Sequence, residues 1–249
     1  MDIRLDGRVA LVTGASKGIG KAIAATFAAA GAMVMISSRK EDGLRQAATE
    51  MEGSVAVYAA NAGDEAAAAA CVAATIERFG TLDILVNNAA TNPYFGPMLG
   101  ITPAQFDKTI QVNLRGPLLW TQAAWDQCYE DKPGVVLNIS SGGSVHVDPG
   151  LGVYNIAKAA LNQLTRQLAL ELAPTRVVCI APGLIQTDFS KVLVENYGDE
   201  LRARLPVRRL GLPQDIANLA LLLVSDEGSY ITGEIIMVDG GVGSLPMIN

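Results

Sequence analysis

The sequence predicts an α/β domain built as a doubly wound, parallel, seven-stranded sheet with helices on both faces. Three observations carry this. Seven short apolar runs alternate with helical stretches along the chain, the pattern of strand–helix–strand units. The runs are continuous rather than alternately apolar and polar, as in strands buried on both faces. The first run ends on a glycine-rich turn that opens a helix.

The elements follow in order. Residues 8–13 (RVALVT) are short, apolar and β-branched, and stop at Gly14. Helical periodicity runs over 19–30 and ends at Gly31. Strands are expected at 33–37 (MVMIS), 54–58, 83–87 (DILVN), 134–140 (GVVLNIS), 176–180 (RVVCI) and 234–238 (EIIMV). Between them lie helical stretches near 41–51, 65–79, 103–129, 152–173 and 214–224. The alanine run 66–70 is helix, since alanine is the best helix former. Residues 183–209 carry no clear element. A long loop in a compact domain is commonly a lid, here expected to hold short helices.

With 249 residues and no Pro/Ser-rich or strongly charged linker, the chain reads as one domain, 1–249. A net charge of −6 argues against broad nucleic-acid affinity. Cys71, Cys128 and Cys179 are scattered singly, which offers neither a zinc site nor a disulfide framework and fits a reducing compartment. No metal site is expected. The N-terminus lacks a signal pattern, and the uncharged run 22–38 is broken by Gly31 and short for a membrane span. Met247-Ile248-Asn249 does not match a Ser-Lys-Leu address. The expected location is cytoplasmic.

The segment Thr13-Gly14-Ala15-Ser16-Lys17-Gly18-Ile19-Gly20 joins the first strand to the first helix. Glycines let a backbone turn tightly and approach a pyrophosphate, while the helix N-terminus offers N–H donors. The spacing is Gly-x-x-x-Gly-x-Gly rather than Gly-x-Gly-x-x-Gly. At the end of the second strand, an acidic residue would select NAD. This chain has Ser37-Ser38-Arg39-Lys40 there. Arg39 with Ser38, and Lys17 as a second cation, suit a 2′-phosphate, so NADP(H) is expected over NAD(H). A solvated turn balanced by Glu41 and Asp42 is the other reading. Tyr154 and Lys158 are four residues apart, hence on one helix face. An ammonium near a phenol lowers its pKa from about 10, and an activated tyrosine can exchange a proton with an alcohol or carbonyl oxygen.

In this order, these residues resemble the short-chain dehydrogenase/reductase family over nearly the whole chain. The resemblance implies a Rossmann-type fold. It implies catalytic roles for Asn113, Ser141, Tyr154 and Lys158. It also implies coenzyme contacts from Gly14, Ser16, Lys17, Gly18, Ile19 and Gly20, from Asn88 and Ala89, and from Tyr154 and Lys158. Pro182, Gly183, Ile185 and Thr187 would contact the nicotinamide carboxamide side, and Asn61 the adenine. The turn Asn87-Asn88-Ala89-Ala90 departs from the family's Asn-Asn-Ala-Gly at its last position; alanine is still small there. Within the family, the stretches around Asn92-Pro93, Phe95-Gly96, 181–185 and 229–234 are similar to NADPH-dependent carbonyl and retinal reductases of the peroxisomal type. By resemblance, Lys158 binds the nicotinamide ribose and depresses the tyrosine pKa, while Asn113 anchors a water leading from Lys158 to solvent. A homotetramer is implied, with 103–129, 152–173 and the last strand at interfaces.

A small-molecule carbonyl or alcohol is the expected substrate. Asn92, Tyr94, Phe95, Leu184 and Phe189 are its expected pocket, closed by the 183–209 lid. His146, the only histidine, reads as a pocket wall, and Asp148 as a turn residue. Arg202, Arg204, Arg208 and Arg209 either attract an anionic carrier or form a solvated face with Glu195, Asp199 and Glu200. Three functions stay open: an NADPH-dependent carbonyl reductase, a 3-oxoacyl-thioester reductase, and a nucleotide-binding sensor without turnover.

Overall fold

A computed structural model describes residues 2–244, with the side chains at 192, 193, 195–197, 199, 201 and 244 outside the described set. Glu195, Asp199 and the terminal Met247-Ile248-Asn249 therefore lie outside it. The strands are β1 (Val9–Thr13), β2 (Met33–Ser38), β3 (Ser54–Ala59), β4 (Ile84–Asn87), β5 (Val135–Ile139), β6 (Arg176–Pro182) and β7 (Ile235–Val238). They form one sheet in the order β3-β2-β1-β4-β5-β6-β7, and every pairing is parallel. All seven expected strands are present.

The core explains the continuous apolar runs. β1 and β4 are buried along their whole length, whereas the edge strands β3 and β7 are only partly covered. Successive side chains point to opposite faces. Ala10, Val12, Val34, Ile36 and Val86 meet α1 (Gly18–Ala29), α2 (Glu41–Thr49) and α8 (Pro213–Val224). Leu11, Met35, Leu85, Val136 and Val177 meet α3 (Glu65–Phe79), α5 (Gly116–Ala124) and α6 (Gly152–Glu171). Each face thus has its own helix layer.

Two details differ from the expectation. The stretch 103–129 is not one α-helix. It is α4 (Pro103–Ile110), a π turn over Gln111–Arg115, α5, and a second π turn over Trp125–Tyr129. Gly116 lies against the Ala62 carbonyl, where an added Cβ would come within 2.6 Å. The segment 183–209, expected to hold short helices, holds one 14-residue helix, α7 (Lys191–Arg204). Its weak apolar periodicity hid a single helix.

Strand order reverses between β1 and β4. In open parallel sheets that switch point opens a crevice at the carboxyl ends of the strands, where ligands bind. The glycine loop follows β1 and the Asn87-Asn88 turn ends β4, so the two face each other across it.

Candidate active site

The glycine loop is stapled to the turn after β4. Thr13 Oγ1 accepts from the backbone N–H of Asn88 at 3.0 Å and of Ala89 at 3.1 Å. It donates to the Val86 carbonyl at 3.1 Å. The Asn88 amide donates to the Thr13 and Gly14 carbonyls at 2.8 and 3.2 Å. Gly14 has φ +66°, and a Cβ there would stand 2.8 Å from Ala89 Cα. At Gly20 a Cβ would strike Asn88 Nδ2. Protein packing therefore demands glycine at both positions, a reason additional to coenzyme approach. At the start of α1, Lys17 provides no side-chain cap and the first turn has no acidic residue. The N–H donors of Gly18 and Ile19 are thus kept for an anion. Such a cradle fits a dinucleotide pyrophosphate. Gly18 has φ +59° and faces the Thr187 methyl at 3.3 Å from a built Cβ, so the glycine loop and the loop after β6 approach each other.

Around the adenosine end, Ser16 packs against Gly43 of α2. Ser38 Oγ donates to the Lys40 carbonyl at 3.5 Å. Arg39 and Lys40 are exposed, and among the described residues neither is in an ion pair. Glu41 pairs with Arg45 instead, so it does not balance Arg39. Lys17 is committed to Asp188 at 3.1 Å, a competing partner that the sequence did not reveal. Asn61 is exposed just past β3 and caps its own turn, accepting from the Gly63 N–H at 3.2 Å.

Past β6, a Cβ on Gly183 would lie 2.7 Å from Asp239 Cα. Ile185 is buried and bridges to Gly211. The Thr187 N–H donates to Ser190 Oγ at 3.1 Å. Pro182 is the last residue of β6.

The proposed proton-transfer group sits at the end of β5 and the start of α6. Lys158 is 2 % exposed, and its Nζ donates to the Ile139 carbonyl at 2.7 Å. The ammonium lies over the Tyr154 ring, 5.8 Å from its centroid. Ser141 Oγ accepts from the Gly143 N–H at 3.2 Å, which leaves its own hydrogen to donate. Burial pushes the Tyr154 phenol up to about 12; the Ser141 hydroxyl pulls it back and the Asp148 carboxylate pushes it further. Tyr154 as a whole residue is half-buried. Burial also brings Lys158 down to about 8, against a smaller upward pull from Cys179. The lowered tyrosine pKa expected from the sequence is thus not the outcome. The ammonium stands over the ring and is tied to a carbonyl, and desolvation is the largest influence on the phenol.

Asn113 is fully buried within the π turn. Its Oδ1 accepts from the Thr91 N–H and its Nδ2 donates to the Thr91 carbonyl, both at 2.8 Å. Its side chain pins the loop after β4 to the α4–α5 segment.

Of the expected pocket, Phe189 stacks against Tyr154 at 6.0 Å between centroids and 38° between planes. Phe95 is 62 % exposed and covers Gly150. Tyr94 donates to the Pro97 carbonyl within its own loop, and Asn92 is half-buried. Leu184 lines a separate cavity of about 290 Å³ with Leu205, Val207 and Arg209. Among the described residues His146 Nε2 is buried without a hydrogen-bond partner, and the ring lies against Gly243. Arg204 pairs with Glu200 at 3.9 Å and Arg209 with Asp215 at 2.6 Å. Among the described residues, no group of three or more His, Cys, Asp or Glu could hold a metal ion. No helix of the described residues is long and apolar enough to cross a membrane.

These features define an oxidoreductase built on a dinucleotide-binding sheet. Residues 14–243 match the family profile described as Enoyl-(Acyl carrier protein) reductase. The chain belongs to the short-chain dehydrogenase/reductase family, whose members bind NAD(P)(H) and act on small molecules. It is similar to dehydrogenase/reductase SDR family member 4 of Sus scrofa, 41% identical over 96% of this chain and 88% of the relative. The Homo sapiens protein of that name is also 41% identical, over 96% and 89%. Levodione reductase superposes with a TM-score of 0.93 at 31% identity, covering 98% of this chain and 100% of that one. A 7α-hydroxysteroid dehydrogenase complexed with NADH and 7-oxo glycochenodeoxycholic acid gives 0.91 at 34% identity, covering 96% of each.

Proposed function

We propose that the protein is an NADPH-dependent carbonyl reductase of small or medium apolar ketones and aldehydes, able to run in reverse on secondary alcohols. The observation that carries this reading is Tyr154 and Lys158 on one face of α6, beside Ser141 at the end of β5. A reduced nicotinamide, when bound, supplies the hydride for the carbonyl carbon. The Ser141 hydroxyl donates to the carbonyl oxygen and fixes it. The Tyr154 O–H gives its proton to that oxygen; a phenol held neutral by burial is ready as an acid. Placed acid catalysis is worth about 10²–10⁴-fold. Lys158 binds ribose hydroxyls. Both side-chain polar atoms of Asn113 are committed to Thr91, so a water relay at this position uses its main chain. The glycine loop (Gly14, Ser16, Lys17, Gly18, Ile19, Gly20), Asn88, Ala89, Asn61 and the Pro182, Gly183, Ile185 and Thr187 segment hold the coenzyme.

Exposed Phe95, Val145, Val147 and Phe189 give the segments around Tyr154 an apolar rim, which suits an apolar substrate. The choice of NADP rests on Ser38 and on Arg39, which is exposed and in no ion pair among the described residues; a solved relative carries NADH. The 3-oxoacyl-thioester reading draws on the family profile's description. It loses the free basic cluster it needs at Arg204 and Arg209, which are paired with Glu200 and Asp215. A cytoplasmic homotetramer completes the reading; exposed Ile156 and Leu170 on α6 are in keeping with a subunit contact.

The test is a carbonyl and alcohol panel run with both coenzymes, beside coenzyme titrations of Arg39→Asp. NADPH affinity should fall at least tenfold in the variant while NADH binding stays within about twofold. Equal losses for both coenzymes sink the NADP assignment. A preference for carrier-bound over free ketones restores the thioester reading.

A further inference from the structure

We propose that Asp148 is a positioning residue for proton transfer: tied to Asn155, its carboxylate braces the turn carrying Ser141 against the start of the helix carrying Tyr154. The proposal rests on the reading of Tyr154 as proton donor.

The geometry is contiguous. The Asn155 amide donates to Asp148 Oδ2 at 3.2 Å. The Asp148 carbonyl accepts from the Leu151 N–H at 3.2 Å, and the Leu151 carbonyl from the Asn155 N–H at 2.9 Å. The pair is thus welded to the first turn of α6, one residue past Tyr154. On its other side it presses on Gly143. A Cβ there would collide with Asn155 Oδ1 and come within 2.7 Å of Asp148 Oδ2. The Gly143 N–H is the donor that orients Ser141 Oγ. Asp148 therefore touches, through one intermediary each, both groups that handle the carbonyl oxygen. Among the described residues Asn155 Oδ1 is buried without a hydrogen-bond partner, and the side-chain amide's hydrogen bond is the one to Asp148.

Groups face the phenol from several elements. On its own helix stands Lys158, over the ring. The loop after β6 contributes the uncharged Phe189 ring. From β6, Cys179 acts on Lys158. α4 packs on α6, but neither its Asp107 nor its Lys108 acts on the phenol, and His146 turns to Gly243. Among the described residues, Asp148 is the one charge that moves the phenol, and it favours the protonated form. The direction matters. A group that keeps Tyr154 protonated assists carbonyl reduction, where the phenol gives a proton. It slows alcohol oxidation at a given pH, where the phenolate must accept one.

The test is the pH profile of kcat for alcohol oxidation in Asp148→Asn, Asp148→Glu and Asp148→Ala, with Tyr154→Phe alongside. In Asp148→Asn the Asn155 amide can turn and accept through Oδ1, so packing survives and only charge is lost. The ascending limb should move to lower pH by about half a unit. Asp148→Glu should return it to the wild-type position. Asp148→Ala should show the same shift together with about a tenfold fall in kcat, because the Ser141 turn loses its brace. A uniform loss at every pH with an unmoved limb would mark a merely structural residue and overturn the proposal. If Tyr154→Phe turns over normally, the underlying reading fails instead; if it is inactive while Asp148→Asn keeps the wild-type limb, only the role of Asp148 falls.

Discussion

At the scale of single residues, desolvation decides the chemistry. A phenol and an ammonium buried together are each pushed toward the neutral form, the phenol up and the ammonium down. Lys158, near 8, loses its charge well before Tyr154 loses its proton. A lysine whose folded value is depressed carries less charge as pH rises through that value. The profile of kcat/KM for the coenzyme, which reports the free enzyme, should therefore fall above about pH 8 with the loss of one proton. A plateau extending past pH 10 would mean that Lys158 is not needed charged for coenzyme capture. The positions of Ser141, Tyr154 and Lys158 were legible in the sequence because spacing and order fix them. Their proton balance was not, because burial depends on the layers above and below. Asp148, Asn155 and Asp188 carry no signal of their own; each acquires a role only when a distant segment folds onto it.

At the scale of elements, two turns hold the crevice in shape. Gly14 has a positive φ and abuts Ala89, so Gly14→Ala combines a left-handed backbone cost of about 1–2 kcal/mol with a steric clash. Its melting temperature should drop by roughly 4 °C or more, and coenzyme binding should weaken with it. Unchanged melting and binding would show that the loop is not built as described. The π turn over Gln111–Arg115 is the second device. Extra-residue turns of this kind recur at functional sites, and this one directs Asn113 onto Thr91. Asn113→Ala strands the Thr91 N–H and carbonyl, a loss of about 1–3 kcal/mol. Thermal denaturation should register it even where activity is assayed at saturating coenzyme. The helical stretch 103–129 was readable from its apolar period, but the π turns were not. One added residue per turn shifts a helix face by an amount that hydrophobic spacing cannot resolve. The helix α7 was missed for a related reason: its charged, weakly periodic sequence resembles a loop.

At the scale of the whole molecule, strand order does most of the work. β1 and β4 adjoin at the reversal of the sheet, which brings residues 14 and 89 into contact. α6 packs beside β6 and projects its first turns above the same edge. Seven apolar runs foretold the sheet because the five inner strands are buried between two helix layers. Subunit number was not readable from those runs, since buried core and buried interface look alike in composition. A light-scattering mass near four times 26.1 kDa is expected; a mass of one chain contradicts the tetramer. The central claim is that a phenol on α6 passes a proton to a carbonyl oxygen while the sheet's upper edge holds the coenzyme. Paired measurements on Tyr154→Phe, NADPH affinity by fluorescence titration and turnover on the best carbonyl substrate, address it most directly. The account predicts affinity within about twofold of wild type and a turnover loss of at least about 100-fold. Turnover close to wild type with coenzyme still bound would contradict it.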